Sequence, residues 1–181
     1  LLRNNSTDLG EQGMWAMHNW IRQSLLANKS FDKFVRELIT AQGSIYTTGP
    51  ANYYRVHKDS SMLAEATAQL FLGVRIECAK CHHHPFEKYS QDDYYGLAAF
   101  FARTGTKNSE EFGLFGREQA VIVRDTGDVR SPRTNQVLQP RPLDGKTVDH
   151  PFDRRIPLAD WLTDKHNEQF AKSVANRYVG Y

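Results

Sequence analysis

Cys78 and Cys81 are the only cysteines in the chain, and His82 follows the second at once. The spacing C-x-x-C-H places two thiols and an imidazole on neighbouring positions of one turn. This is the attachment pattern for c-type haem. Each thiol can add to a vinyl group of the porphyrin, and the imidazole can reach the iron from the same turn. His83 and His84 lengthen the run and open a second chemistry. Cys78, Cys81 and His84, with His82 or a distant histidine as the fourth ligand, form a thiolate–imidazole set that suits zinc. The four lie within one knuckle, however, and structural zinc ligands usually come from two. A third reading joins the cysteines in a disulfide, redox-active or merely stapling, with the histidines bonded to backbone groups.

The haem reading needs a ligand on the opposite face of the iron. Met14, Met17, Met62, His18, His57, His150 and His166 all qualify by chemistry, and a methionine raises the potential relative to a second histidine. His84 sits too close to His82 to reach that face, and suits a hydrogen bond to a propionate or a loop carbonyl. Glu87 can orient the His84 imidazole from behind. No nucleophile–base pair or spaced carboxylate dyad stands out. Asp92 and Asp93 read as first-turn charges favoured by a helix dipole. Tyr94, Tyr95, Phe100 and Phe101 could wall a porphyrin or a saccharide groove, but at helical spacing they read first as core.

The elements that position the motif follow from periodicity. Residues 11–28 predict an amphipathic helix with Met14, Met17, Ile21 and Leu25 on one face. Ser30 is placed to cap a second helix, in which Phe31, Phe34, Val35, Leu38 and Ile39 fall at i, i+3, i+4, i+7 and i+8. Gly43, Gly49, Pro50 and Asn52 mark residues 42–60 as a loop rich in tyrosine. A third helix runs from about Ser61 to Leu72, and Gly73 is placed to end it in a left-handed cap. Ser90-Gln91-Asp92-Asp93 resembles a capping box that opens a fourth helix. The motif is therefore a tight loop between two helices. After Gly105 the pattern turns to β: a strand at Ala120–Val123, a turn at Thr126–Asp128, and a return strand from Val129. Pro157 opens another helix with Leu158, Trp161 and Leu162 inward, and a last helix from Asn167 carries Phe170, Val174 and Tyr178 on one face. The fold class is mainly α, with a small irregular β-hairpin insertion.

Composition sets the outer limits. A length of 181 residues fits one ordinary domain, or one plus part of another. The formal charge of +2 leaves no basic excess for a nucleic-acid surface, and no apolar run is long enough to span a membrane. The chain begins without methionine or a signal-like segment and stops just after a helical pattern. Both ends read as cut, and the compartment is not legible from them.

The run FLGVRIECAKCHHHPFEKYSQDDYYGLAAFFAR resembles the core of the planctomycete cytochrome-associated family, domain of unknown function fifteen-forty-nine. FDKFVRELITAQG is similar to that family's preceding helix. The tail RRIPLADWLTDKHNEQFAKSVANRY is similar to the opening of the domain that usually follows, number fifteen-fifty-three of the same series. His83 stands where the family often has Asp, and Tyr178 where it has Trp. The resemblance implies an exported protein, periplasmic or extracellular, often joined to a cytochrome c domain. The organisation expected is a helical domain over 1–105 holding the motif, an irregular β-containing connector over 106–153, and the truncated start of a second helical domain over 154–181, with Arg154-Arg155 marking the junction. The function expected is a haem c module, attached through Cys78, Cys81 and His82, that passes electrons to a redox partner protein or an adjoining cytochrome domain. The alternative is a zinc- or other metal-binding module, held by Cys78, Cys81, His82 and His84, within an extracellular hydrolase or polysaccharide-binding protein. Whether the chain is an enzyme stays open.

Overall fold

The computed structural model describes residues 2–83, 88–108 and 118–180. Among these the chain is mainly α-helical, with short antiparallel strands in small sheets. It forms two compact units, each built from two stretches of sequence: Leu1–Lys58 with Thr104–Arg124, and Asp59–Arg103 with Asp125–Tyr181. No described helix is long and apolar enough to cross a membrane.

In the first unit, α1 (Ser6–Leu26) starts at Asn5, whose side chain accepts the Asp8 N–H at 2.9 Å. It breaks at Gly10 (φ 70°, ψ 168°), a conformation that a side chain would strain. The buried line is Leu9, Gly13, Met17 and Ser24. The expected stripe is thus rotated: Met17 is fully buried, Met14 and Ile21 only half so, and Leu25 is 76% exposed. The cause is a close approach at Gly13, where a Cβ would lie 2.7 Å from Asn52 Oδ1. The helix turns its smallest residue inward there, and its larger neighbours move to the flanks.

The second helix, α2 (Phe31–Ile39), matches its periodicity, with Val35, Leu38 and Ile39 at zero exposure. Ser30 occupies the cap position, but its side chain makes no cap hydrogen bond. Trp20 of α1 stacks on Phe34 with ring centroids 4.3 Å apart.

The expected loop at 42–60 is only partly a loop. It holds strand β1 (Gly43–Ser44), a 3-10 turn (Gly49–Asn52) and the short helix α3 (Tyr53–Val56), and much of it is buried. Burial is tolerated because side-chain donors of the segment satisfy backbone carbonyls that water would otherwise serve. The Asn52 amide donates to the Ile45 and Gly49 carbonyls at 2.7 and 3.1 Å, and the Tyr54 hydroxyl donates to the Ile39 carbonyl. Glycine, proline and asparagine marked irregular backbone correctly; they did not mark solvent.

His57 ends α3, nearly buried and edge-on to Tyr53. Burial, then the nearby Arg3 charge, pushes its pKa from 6.5 down to about 4. The folded state therefore favours the neutral ring. That contribution is fully present above pH 6.5 and is lost as pH falls to about 4, a swing of roughly 2–3 kcal/mol. Urea unfolding at pH 7 and pH 4.5 should differ by an amount that His57→Gln reduces; an unchanged pH dependence would count against this account.

Strand β3 (Gln119–Val123) is the centre of a three-stranded antiparallel sheet, with β2 (Thr104–Asn108) on one edge and β1 on the other. The register pairs Thr104 with Val123 and Gly43 with Val121. The expected return from Val129 onto this strand does not occur, because both its edges are taken. Val129 opens β4 (Val129–Arg130), which pairs with β5 (Val137–Leu138) in a separate ribbon of the second unit.

The second unit packs α4 (Ser60–Thr67), α5 (Gln91–Ala98), α6 (Arg155–Leu162) and α7 (Glu168–Val179). Its core includes Leu63, Phe71, Tyr94, Leu97, Phe100, Phe101, Leu158 and Leu162. The aromatic residues after the motif are thus largely core, as periodicity implied. α4 is capped by Asp59, whose side chain accepts the Met62 N–H, and continues through a π turn (Ala68–Leu72) to Gly73 at φ 70°, ψ 15°. The left-handed stop is where the sequence put it. α7 opens at Asn167, which accepts the Phe170 N–H at 3.0 Å. Its buried residue is Ser173, set against Gly73. Tyr178 is 77% exposed rather than inward, since this small-on-small contact decides which face goes in.

Candidate functional site

The motif begins where Gly73 lets the chain leave the π turn. Val74 and Ile76 are buried while Arg75 and Glu77 are exposed, the alternation of an extended link. One turn of 3-10 helix follows, Glu77–Lys80. The Ala79 N–H donates to the Ile76 carbonyl at 2.9 Å, and Ala79 and Ile76 are both fully buried. These two residues pin the turn from below. A 3-10 turn has about three residues per turn, so positions i and i+3 lie on one side. Cys78 and Cys81 stand in that relation, both reduced and both exposed. The N–H groups of Cys81 and His82 donate to the Cys78 carbonyl at 3.3 and 3.4 Å and close the loop into the histidine.

Helix α5 holds the turn from its other side. Its capping box is complete: the Asp93 N–H donates to Ser90 Oγ at 3.2 Å, and the Ser90 N–H to Asp93 Oδ2 at 2.8 Å. Arg141 anchors the same Asp93 at 2.7 Å. From α5, the Gln91 amide and the Tyr95 hydroxyl donate to the Lys80 carbonyl at 2.8 and 3.4 Å. The carbonyl between the two cysteines is thus tied to two successive turns of helix. Behind it, the buried Tyr94 ring donates its hydroxyl to Glu65 of α4 at 2.5 Å. Burial and this carboxylate push the phenol above its ordinary range. Tyr94→Phe should cost about 1–3 kcal/mol, since Glu65 loses a partner in a half-buried setting. Equal urea midpoints for the two proteins would contradict that.

His82 is exposed, and its Nδ1 lies 2.7 Å from the His83 carbonyl. A carbonyl oxygen only accepts, so Nδ1 carries the proton, and in the neutral ring Nε2 keeps its lone pair. This is how a ligating histidine is prepared: one ring nitrogen donates to a carbonyl and the other faces the metal. The donor set therefore fits a covalently held haem, with two free thiols on one side of a turn and an imidazole in the ligating tautomer beside them. For zinc, the described residues hold no group of three histidine, cysteine or acidic side chains that could hold a metal ion. His84, the third member of the expected zinc set, and Glu87 lie outside the described residues.

The expected distal ligands differ in readiness. Met17 is fully buried in α1, His57 is packed against Tyr53, and His18 lies edge-on to Trp15, all three in the first unit. In the second unit, Met62 is half-buried in the first turn of α4. His150 accepts the N–H groups of Phe152 and Asp153 at Nδ1, at 3.3 and 3.0 Å, which puts its proton on Nε2. His166 is the reverse: Nδ1 donates to Asp164 at 2.9 Å, which in the neutral ring leaves Nε2 its lone pair.

One contributor escaped sequence reasoning. Arg133, in the turn between β4 and β5, joins Cys81, His82, His83, Gln91 and Asp92 in lining a cavity of about 230 Å³ beside the motif. Nothing in its sequence neighbourhood signals this, because the ribbon pairing that brings it there is made of two-residue strands.

Neither curated proteins nor solved structures give a match to the chain. The profile of PSCyt2, described as a protein of unknown function (DUF1549), matches residues 2–106, which contain both cysteines and the histidine run. The chain belongs to that family.

Proposed function

We propose that the chain is an exported haem c module that carries electrons, with Cys78 and Cys81 as attachment points and His82 as the proximal ligand. The observation that carries this reading is the state of His82. Its Nδ1–H is committed to the His83 carbonyl, so Nε2 is available beside two reduced, exposed cysteines. The family's cytochrome-like label points the same way. In attachment, each Sγ–H adds across a vinyl double bond, sulfur to one carbon and hydrogen to the other, with no net oxidation. Bound there, haem supplies a one-electron couple at its iron. The chain's own part is to hold the turn rigid through Ala79, Gln91 and Tyr95, to keep His82 in one tautomer, and to leave the site at the surface, open to a redox partner or an adjoining cytochrome domain. The likeness of residues 154–178 to the neighbouring family supports a larger protein of which this is one part. The test is spectroscopic. The full chain, exported in a host that matures c-type cytochromes, should show a Soret band that survives acid–acetone extraction. An extractable haem, or none with stoichiometric zinc in its place, would overturn the proposal.

A further inference from the structure

We infer that the second unit carries a binding groove for a neutral saccharide, independent of the haem reading. A cavity of about 590 Å³ opens along α7, lined by Leu72, Leu143, Trp161, His166, Gln169 and Asn176 among others. That volume lies within the roughly 300–1,000 Å³ of small-ligand pockets.

The lining argues for the class of ligand. Its charged groups are already paired: Glu168 with Lys172 at 2.8 Å, and Asp144 with Lys88 at 2.7 Å. An ionic ligand would find neither a lone cation nor a lone anion among these. What remains is uncharged hydrogen-bonding capacity of both kinds. In its neutral ring, with Nδ1–H given to Asp164, His166 offers Nε2 as an acceptor. Gln169 accepts weakly from Tyr89 through Oε1 at 3.4 Å, which leaves its NH₂ as a donor. The Asn176 side chain brings a donor and an acceptor, with no bond to another described side chain. Asn167 takes no part, since its amide is spent on the Trp161 carbonyl and the Phe170 N–H.

Beside these polar groups the lining includes half-buried Trp161, with Leu72 and Leu143 buried beneath. An aromatic side chain among uncharged amides and an imidazole suits a ligand with a C–H face and a rim of hydroxyls. A sugar ring has both. A purely apolar ligand would leave the amides unpaired at a cost.

The test is a titration of the full chain with cellohexaose, mannohexaose and xylohexaose, followed by calorimetry and by tryptophan fluorescence. Saturable binding of at least one is expected, insensitive to salt. Trp161→Ala should weaken it roughly tenfold, and Asn176→Ala and Gln169→Ala several-fold. Asn176 is exposed and Gln169 only half-buried, so these last two decide the matter if the tryptophan variant unfolds. Glu168→Gln should change little. Absence of binding across the panel, binding unmoved by all three variants, or preference for dextran sulfate that salt abolishes would each overturn the inference.

Discussion

Asp153→Ala is expected to cost about 3–5 kcal/mol of stability, the largest effect of any single substitution considered for this chain. Arg155 has zero exposure, and its guanidinium meets Asp153 through Nε at 2.9 Å and Nη2 at 2.8 Å. The Arg155 N–H adds a third bond to Asp153 Oδ1 at 2.9 Å, so one carboxylate both neutralises the cation and starts α6. Alanine removes the carboxylate that meets this core cation through two of its nitrogens. Asp153→Asn, which keeps shape and loses charge, should fall between the two. Replacing both partners by apolar residues of similar size should be less harmful than the single change, because a buried charge that loses its carboxylate costs more than the bridge itself contributes. Urea unfolding of the four proteins checks this; a single-site loss below about 1 kcal/mol would contradict it. Arg154 is the milder neighbour. It is also buried, but shares Asp149 and Asp128, so removing one acid leaves the other.

The second large effect concerns attachment. The double variant Cys78→Ser, Cys81→Ser should lose all haem that resists extraction, while each single variant keeps one thioether. Both cysteines are free and exposed, so the folded chain should lose less than about 0.5 kcal/mol. That separates a cofactor role from a structural one: a stapling disulfide would lower stability in all three variants. His82→Ala should retain both thioethers but change the Soret position, and free imidazole should restore it. Covalent haem persisting in the double variant would exclude these cysteines as the attachment points.

The fold class and the local supports of the motif were legible in the sequence; the long-range packing was not. C-x-x-C-H is local, and so are its supports: Gly73 ends one helix and the Ser90–Asp93 box starts another, each announced by residues within a turn. Periodicity also found α2 and the aromatic core after the motif. The misses share one cause, which is that distant contacts chose between near-equal local options. Gly13 faces Asn52, so α1 is rotated and Leu25 points outward. Ser173 packs on Gly73, so Tyr178 points outward. β3 takes β1 and β2 as partners, so Val129 pairs elsewhere. The tyrosine-rich segment at 42–60 folds inward because Asn52 and Tyr54 satisfy backbone carbonyls that a loop would leave to water. The tautomer of His82, on which the functional reading turns, depends on the carbonyl of the next residue and is a property of conformation, with no sequence signal.

Intact-mass measurement of the chain, exported in a host that matures c-type cytochromes, tests the central claim most directly. The expected result is a gain equal to one haem per chain that persists under denaturing conditions and maps to the peptide containing Cys78 and Cys81. An unmodified mass, or the loss of two hydrogens that marks a Cys78–Cys81 disulfide, would contradict it.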